Sequence, residues 1–247
     1  MAITLPTLLI DQLRTARHIA VLTGAGVSAA SGLPTFREAQ TGLWAQYRPE
    51  DLATAEAFRR DPKLVWEWYA WRRSLVEKAA PNAAHVALAA LALHVPKLTL
   101  ITQNVDGLHQ QAGSSGVVEM HGNIRRTKCF DENTVVESWP ATDEVPPRCP
   151  QCQGYLRPDV VWFGESLPEG ALDQTADAAV DCDLFLSVGT SGMVEPAASL
   201  LRIAIEHDAL GVIINPTRID AHKSVIQIEA NAGDTLMALL AQAWPEG

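Results

Sequence analysis

The chain has 247 residues, 19 basic against 29 acidic side chains for a formal charge of −10, and 47% hydrophobic against 19% charged residues. Such a composition belongs to a folded chain and excludes disorder, and a net acidic surface repels nucleic acid and anionic membrane. No apolar run approaches the roughly 18–20 residues of a membrane helix, so neither a nucleic-acid nor a membrane partner is expected.

The opening "MAITLPTLLIDQLRTARH" lacks the basic-then-apolar order of a secretion signal. Four cysteines, two of them beside prolines, do not resemble a secreted disulfide framework. A reducing cytoplasm is the expected compartment.

In chain order, short apolar runs end abruptly at Gly, Asn or Thr: "HIAVLTGAG", "KLTLITQNVDG", "LFLSVGTSG" and "ALGVIINPT". Between them lie stretches with helical spacing, "NAAHVALAALALH" (Val86, Leu88, Leu91, Leu93) and "EPAASLLRIAIEH" (Leu200, Leu201, Ile203, Ile205). Strands apolar throughout, alternating with helices, predict a parallel sheet covered on both faces. The fold class is α/β: a Rossmann-like parallel-sheet domain with a smaller inserted lobe. The sheet domain is expected from residues 1–37, 79–121 and 166–247. Residues 38–78 read as a helical insertion, with Asp61 and Pro62 as a helix start. Residues 122–165, polar and cysteine-containing, read as a second insertion into the same lobe.

Loops leaving the carboxyl ends of parallel strands share one edge, where ligands bind. Here those loops are "TGAGVSAASG", "TQNVDGLHQ", "EMHG", "GTSG" and "INPT". Gly24, Gly26 and Ala29 have the G-x-G-x-x-A spacing that lets backbone N–H groups approach a pyrophosphate at a helix start. No second strand ends in an acidic residue about 20 positions later, which disfavours an ordinary nicotinamide dehydrogenase. Gln103, Asn104 and Asp106 follow a strand, and amides with a carboxylate suit ribose hydroxyls and a carboxamide. His121 closes the short run "VVEM" on the same edge, where a neutral imidazole is a candidate general base.

Taken together, "GAGVSAASGLPTFR", "TQNVDGLHQQAG", "HG", "LRPDVVWFGE" and "GTSGMVEPAA" resemble, in order, the motifs of the sirtuins, NAD-dependent protein lysine deacylases. The resemblance runs from about residue 18 to 234. It implies that Gly24, Ala25, Gly26 and Ser28 bind pyrophosphate, and that Phe36 and Arg37 cover the nicotinamide end of NAD. It places Gln103 and Asn104 at the nicotinamide ribose and Asp106 at the carboxamide, with Asn104 also counted as catalytic. Gly189, Thr190, Ser191, Asn215 and Ala232 are implied on the adenosine side, and His121 as the base. In that family NAD is consumed as a co-substrate: nicotinamide leaves, the acyl group passes to ADP-ribose, and no hydride moves.

The segment Val160 to Glu165 resembles the backbone strip on which an acyl-lysine peptide adds as a strand, with Val161, Trp162, Phe163, Gly164 and Glu165 as contacts. An apolar core role is more expected of Val160 and Val161 than of the four residues after them. Tyr69 and Arg72, three apart on a helix, share a face. They resemble the Y-x-x-R of the sirtuin subclass that prefers succinyl, malonyl and glutaryl groups, with Thr35 fitting the same subclass. An Arg fork and a phenol hydroxyl suit a terminal carboxylate. The expected partners are acylated-lysine proteins or peptides, and the expected state is a monomer. Rival readings are ADP-ribose transfer to water or protein, and a silent NAD-binding scaffold. Cys182 reads as a small packed residue.

Cys149 and Cys152 form a C-x-x-C pair, and Cys129 stands upstream with Glu132 three residues later, where a fourth cysteine would be expected. The resemblance implies a structural Zn2+ module at this place, zinc-ribbon-like. Three thiolates leave the fourth position to Glu132, Asp131, water or nothing, and a weakened or lost site is favoured over a full one.

Overall fold

The computed structural model describes residues 3, 5–34 and 44–245. Phe36, Arg37 and Thr35 lie outside the described residues. Among those described, eight strands occur: β1 (His18–Thr23), β2 (Lys97–Thr102), β3 (Val118–Glu119), β4 (Gly122–Cys129), β5 (Leu156–Val160), β6 (Leu184–Val188), β7 (Leu210–Asn215) and β8 (Ile226–Glu229). Ten α-helices accompany them: α1 (Thr7–Thr15), α2 (Ala25–Ser28), α3 (Pro49–Leu52), α4 (Ala55–Arg60), α5 (Pro62–Lys78), α6 (Ala83–Leu91), α7 (Leu108–Gln111), α8 (Ala171–Asp181), α9 (Ala197–Glu206) and α10 (Ala232–Ala243).

Six strands make one parallel sheet in the order β3-β2-β1-β6-β7-β8. The central strand β1 is buried along its whole length, and alternate residues feed opposite layers. Ile19 and Val21 enter the core shared with α1, α6 and α10, whereas Ala20 and Leu22 enter the core under α8 and α9. This is why the apolar runs show no alternation. The order of strands reverses between β1 and β6, and that switch point is where the loops of an α/β sheet part to leave a crevice.

The first helical face is narrower than its spacing suggested. Leu88 and Leu91 are buried with Ala84 and Ala87, but Val86 and Leu93 are exposed, Leu93 lying past the end of α6. On α9, Leu200 is buried between Ala197 and Ala204, and Leu201, Ile203 and Ile205 are half-buried.

A second body of structure rises from the sheet edge. The ribbon β4–β5 is antiparallel, pairing Cys129 with Leu156, and α5 packs on both strands. Helix α5 starts at the expected place: the Asp61 carboxylate accepts from the Leu64 N–H at 3.0 Å, and Pro62 holds the first position. A separate aromatic core of Trp44, Phe58, Trp68, Tyr69, Ile124 and Trp162 joins the helices to the ribbon. Since β3 ends at Glu119 and β4 begins at Gly122, His121 stands at the junction of sheet and ribbon. Gly122 makes that junction with φ +76°, and a Cβ there would collide with the Asp159 carbonyl.

Candidate active site

At the switch point, the loops after β1 and β6 meet backbone to backbone. The Gly24 and Gly26 amides donate to the carbonyls of Val188 (3.1 Å) and Gly189 (3.0 Å). A Cβ on Gly24 would come within 2.8 Å of the Gly189 oxygen, and one on Gly26 within 2.9 Å of Gly189 Cα. The glycines therefore serve first to let two loops touch. The helix they open, α2, is one turn long and passes into a 3-10 turn at Ala29–Ser31.

Ser28 sits at the centre of the loop cluster. Its hydroxyl donates to Asp106 Oδ2 at 2.7 Å and accepts from Asn104 Nδ2 at 3.1 Å, and Nδ2 also donates to the Gly24 carbonyl at 3.0 Å. Asp106 Oδ1 accepts from the Leu108 N–H at 2.9 Å. Ser28 and Asp106 are both buried. The Ser28 hydroxyl thus supplies one of the donors that a buried carboxylate needs.

His121 is half-buried on the same edge. Its Nδ1 lies 3.1 Å from the Gln103 carbonyl, and its own carbonyl accepts from the Val161 N–H at 2.9 Å. A carbonyl only accepts, so Nδ1 carries the proton and Nε2 the lone pair. Burial lowers the His121 pKa, against the bond to Gln103, and keeps the ring neutral near pH 7. Tautomer, charge state and position leave Nε2 with the lone pair that a general base requires.

Beneath these groups lies a layer that the sequence did not single out. His109 Nε2 is 2.9 Å from Thr23 Oγ1, which is in turn 2.9 Å from Thr102 Oγ1, and Thr102 Oγ1 accepts from the Asn104 amide at 3.0 Å. His85 Nδ1 accepts from the Asn82 N–H at 3.2 Å, and its ring lies 4.8 Å from that of His109. Burial and the neighbouring His85 push the His109 pKa down to about 3. The only sequence signal was "GLHQQ" directly after the Asp106 loop.

On the far side of the switch point Ser191 is exposed, Asn215 is half-buried with Nδ2 on the Thr217 carbonyl (3.0 Å), and Ala232 is buried at the start of α10. Thr190 turns inward, its Oγ1 2.9 Å from Ser187 Oγ. A cavity of about 470 Å³ adjoins it on the α9 face, lined by Gln103, Thr190, Leu201, Ile213, Ile219 and Val225 among others.

The strip after β5 corrects one expectation. Trp162 is a core residue, 2% exposed, whereas Val161 is half-buried and Phe163 is 60% exposed. Four of its amides are already committed: Val161 to His121, Trp162 to Glu165 Oε2 (2.8 Å), Phe163 to the Ala53 carbonyl (3.0 Å) and Glu165 to the Trp162 carbonyl (3.0 Å). Glu165 turns its carboxylate inward onto buried Arg157, with Nη2 at 3.0 Å from Oε2. Phe163 and Gly164 remain as the outward part. Tyr69 is buried and Arg72 half-buried, its guanidinium 5.7 Å from the Trp68 ring centre. Burial depresses the Arg72 pKa, and the charges of Tyr69 and Asp106 oppose that.

Residues 24–196, which carry the loops after β1, β2 and β6, His121 and the cysteine ribbon, match the Sir2 family. The chain belongs to that family. The NAD-dependent protein deacylase 1 of Pseudomonas aeruginosa is 47% identical over 245 residues, 96% of this chain and 98% of that relative. The NAD-dependent protein deacylase of Ralstonia nicotianae is 50% identical over 228 residues, 92% of each chain. Among solved structures, a Sir2 homologue–NAD complex superposes with a TM-score of 0.88 at 40% identity, covering 98% of this chain and 95% of the other. A Sir2–p53 peptide–NAD+ complex superposes with a TM-score of 0.84 at 28% identity, covering 97% and 98%.

In this Sir2 chain the sulfurs of Cys129, Cys149 and Cys152 lie within 4.8 Å of one another, the Cys129 and Cys152 sulfurs 3.4 Å apart. The Glu132 amide donates to Cys129 Sγ at 3.4 Å. Amides of Cys152 and Gln151 hold the Cys149 thiol below its usual pKa, favouring the thiolate. Three sulfurs so placed fit zinc, which binds cysteine as the thiolate with Zn–S bonds of about 2.3 Å. Neither carboxylate joins the mutually close donors: Glu132 is exposed, while Asp131 lies against Gly154 beside Cys152. Cys182 is a packed residue, 5% exposed. Among the described residues no helix is long and apolar enough to cross a membrane.

Proposed function

We propose that this chain is an NAD-dependent protein lysine deacylase that favours acyl groups ending in a carboxylate, such as succinyl, malonyl or glutaryl, over acetyl. The coarser activity rests on Sir2 membership and on relatives of near-full-length coverage. The finer preference rests on one observation: a buried phenol and a half-buried guanidinium, one helical turn apart on α5, with Arg72 in the field of the Asp106 loop. Burial strengthens the bond such a pair makes to a carboxylate.

NAD fits the switch-point crevice, where glycine backbones at Gly24, Gly26 and Gly189 approach so closely that no side chain can replace them. Ala25, Gly189, Ser191, Asn215 and Ala232 would line it, with Gln103 and Asn104 toward the base and Phe36 and Arg37 as further contacts. Ser28 and Asp106, bonded to each other, would also hold those loops, and Thr190, which lines the adjoining cavity, would meet the adenosine side. Bound there, NAD supplies the leaving nicotinamide and the hydroxyl that takes the acyl group. His121 accepts a proton at Nε2 from a hydroxyl presented to it, while Gln103 fixes the ring. A peptide would lie along Phe163 and Gly164, one hydrogen bond from the base through Val161. Zinc, held by the three cysteines, would brace the ribbon.

The test compares kcat/KM on succinyl-lysine and acetyl-lysine peptides, with products identified by mass spectrometry, before and after Arg72→Met. Loss of a charged hydrogen bond should lower the succinyl-to-acetyl ratio by about 10- to 100-fold. Equal loss on both substrates would overturn the carboxylate preference, and free ADP-ribose in place of acyl-ADP-ribose would overturn deacylation.

A further inference from the structure

The indole N–H of Trp162 donates to the Tyr69 hydroxyl oxygen at 3.1 Å, and both residues are 2% exposed. An indole nitrogen only donates, whereas a phenol hydroxyl both donates and accepts. Tyr69 is therefore fixed as the acceptor in this bond, and its single proton must point elsewhere. Without that donor, a phenol proton swings between two in-plane orientations, and one of them turns an oxygen lone pair toward an incoming anion. A carboxylate meeting that lone pair is repelled; meeting the proton, it is bound.

Trp162 is itself immobilised. The Arg157 guanidinium lies 3.2 Å from the centre of its ring, and its backbone N–H is held by Glu165 Oε2 at 2.8 Å. Phe58 packs on it at 5.3 Å between ring centres and Tyr69 at 6.2 Å. Arg157, 2% exposed, is anchored by both Glu165 oxygens and by the Val160 carbonyl at 2.6 Å. No part of this assembly is free to rotate away from the phenol. Burial also raises the Tyr69 pKa against the pull of Arg72, so the proton stays on the hydroxyl.

We propose that Trp162 is a positioning residue for acyl selectivity: its N–H occupies the acceptor side of the Tyr69 hydroxyl and leaves only the donor side to face the acyl carboxylate. This role rests on the acidic-acyl preference proposed for the chain. It belongs to the Trp162 side chain, and is distinct from the backbone strip in which the motif places the residue. It also gives the buried Arg157–Glu165 pair a purpose, since a charge pair of this kind serves specificity of geometry more readily than stability.

The test is a double-mutant cycle on the succinyl-to-acetyl ratio of kcat/KM, with Trp162→Phe, Tyr69→Phe and the pair, each checked for folding by thermal melting. Trp162→Phe keeps an aromatic ring and removes the N–H. The ratio should fall about five-fold, the value of one neutral hydrogen bond, through a higher KM for the succinyl substrate. In the Tyr69→Phe background the same change should leave the ratio where Tyr69→Phe alone put it. If Tyr69→Phe lowers the ratio but Trp162→Phe does not, or if the two effects simply add, the positioning role is wrong and the acidic-acyl reading stands. If neither Tyr69→Phe nor Arg72→Met lowers the ratio, the acidic-acyl reading fails and this inference with it. Should Trp162→Phe not fold, 3-benzothienylalanine at position 162 keeps the bicyclic shape without the N–H and carries the same test.

Discussion

His121 and Gln103 are joined by a bond of 3.1 Å from the ring Nδ1 to a main-chain carbonyl, which leaves the lone pair on Nε2. Burial holds the His121 pKa below the ordinary histidine value. The ring is therefore already unprotonated at neutral pH, and if it serves as the proposed base the acid limb of kcat/KM should fall below about 6.5, the unperturbed value. A rate that begins to fall well above that pH would contradict the assigned state. His121→Ala should lower kcat by on the order of 10²–10⁴-fold while leaving the melting temperature nearly unchanged, because the ring is only half-buried.

His109 should make the protein acid-sensitive. Its folded pKa is pushed down to about 3, whereas the unfolded chain has an ordinary histidine. Between about 6.5 and 3 the unfolded state binds the extra proton, so stability is lost as pH falls through that window, by at most about 1.4 kcal/mol per pH unit. His85 is also depressed by burial, against the raising field of Asp106, and acts in the same direction. Denaturant unfolding at a series of pH values should show this slope, and His109→Asn should flatten it. An unchanged slope in the variant would place the sensitivity elsewhere.

Gly189→Ala should damage fold and cofactor binding together. The residue has φ +61°, and a Cβ would stand 2.6 Å from the Val27 nitrogen. Left-handed strain and the clash should cost on the order of 1–3 kcal/mol and part the two switch-point loops. Gly116→Ala is the comparison: φ is +62° but nothing lies within 4 Å of the added Cβ. That variant should lose about 1 kcal/mol of stability with NAD affinity unchanged by calorimetry. Equal losses of affinity in both would mean that loop contact is not what the glycine protects.

The sheet and its order of loops were legible because strands such as His18–Thr23 are apolar on both faces and stop at glycine, a pattern that only a doubly covered sheet rewards. The placement of His121 on the ligand edge came from the same logic. What the sequence left open was the direction of side chains in the loops. Ser28, Thr190 and Glu165 look equally suited to face a ligand or the interior, and partners that spacing does not reveal decide two of them: Asp106, far along the chain, for Ser28, and buried Arg157 across the turn for Glu165. Trp162 belongs to the same class. It lies beyond the end of β5, where the two-residue alternation no longer applies, and the aromatic core under α5 draws it in. The short α2 was hidden too, since G-x-G-x-x-A spacing marks a turn without setting the length of the helix behind it.

The cysteine ribbon carries the last prediction. Three sulfurs converge, and the backbone amide of Glu132 already donates to Cys129 Sγ, so the loop is shaped around that sulfur although its fourth position is a carboxylate on an exposed side chain. A site of three thiolates should bind zinc more weakly and with steeper pH dependence than one of four. Purified protein should therefore carry less than one zinc per chain after exposure to a strong chelator. Glu132→Cys should restore a tetrahedral set, raising the metal content to one and making it chelator-resistant, with a higher melting temperature that chelation no longer lowers. Since Cys129 ends the ribbon strand whose first residue is next to His121, stiffening the ribbon should show in the melting curve and metal content, not in the pH profile of the base. Stoichiometric, chelator-resistant zinc in the native protein would instead mean that Asp131, beside Cys152, swings in to complete the site; Asp131→Ala would then release the metal.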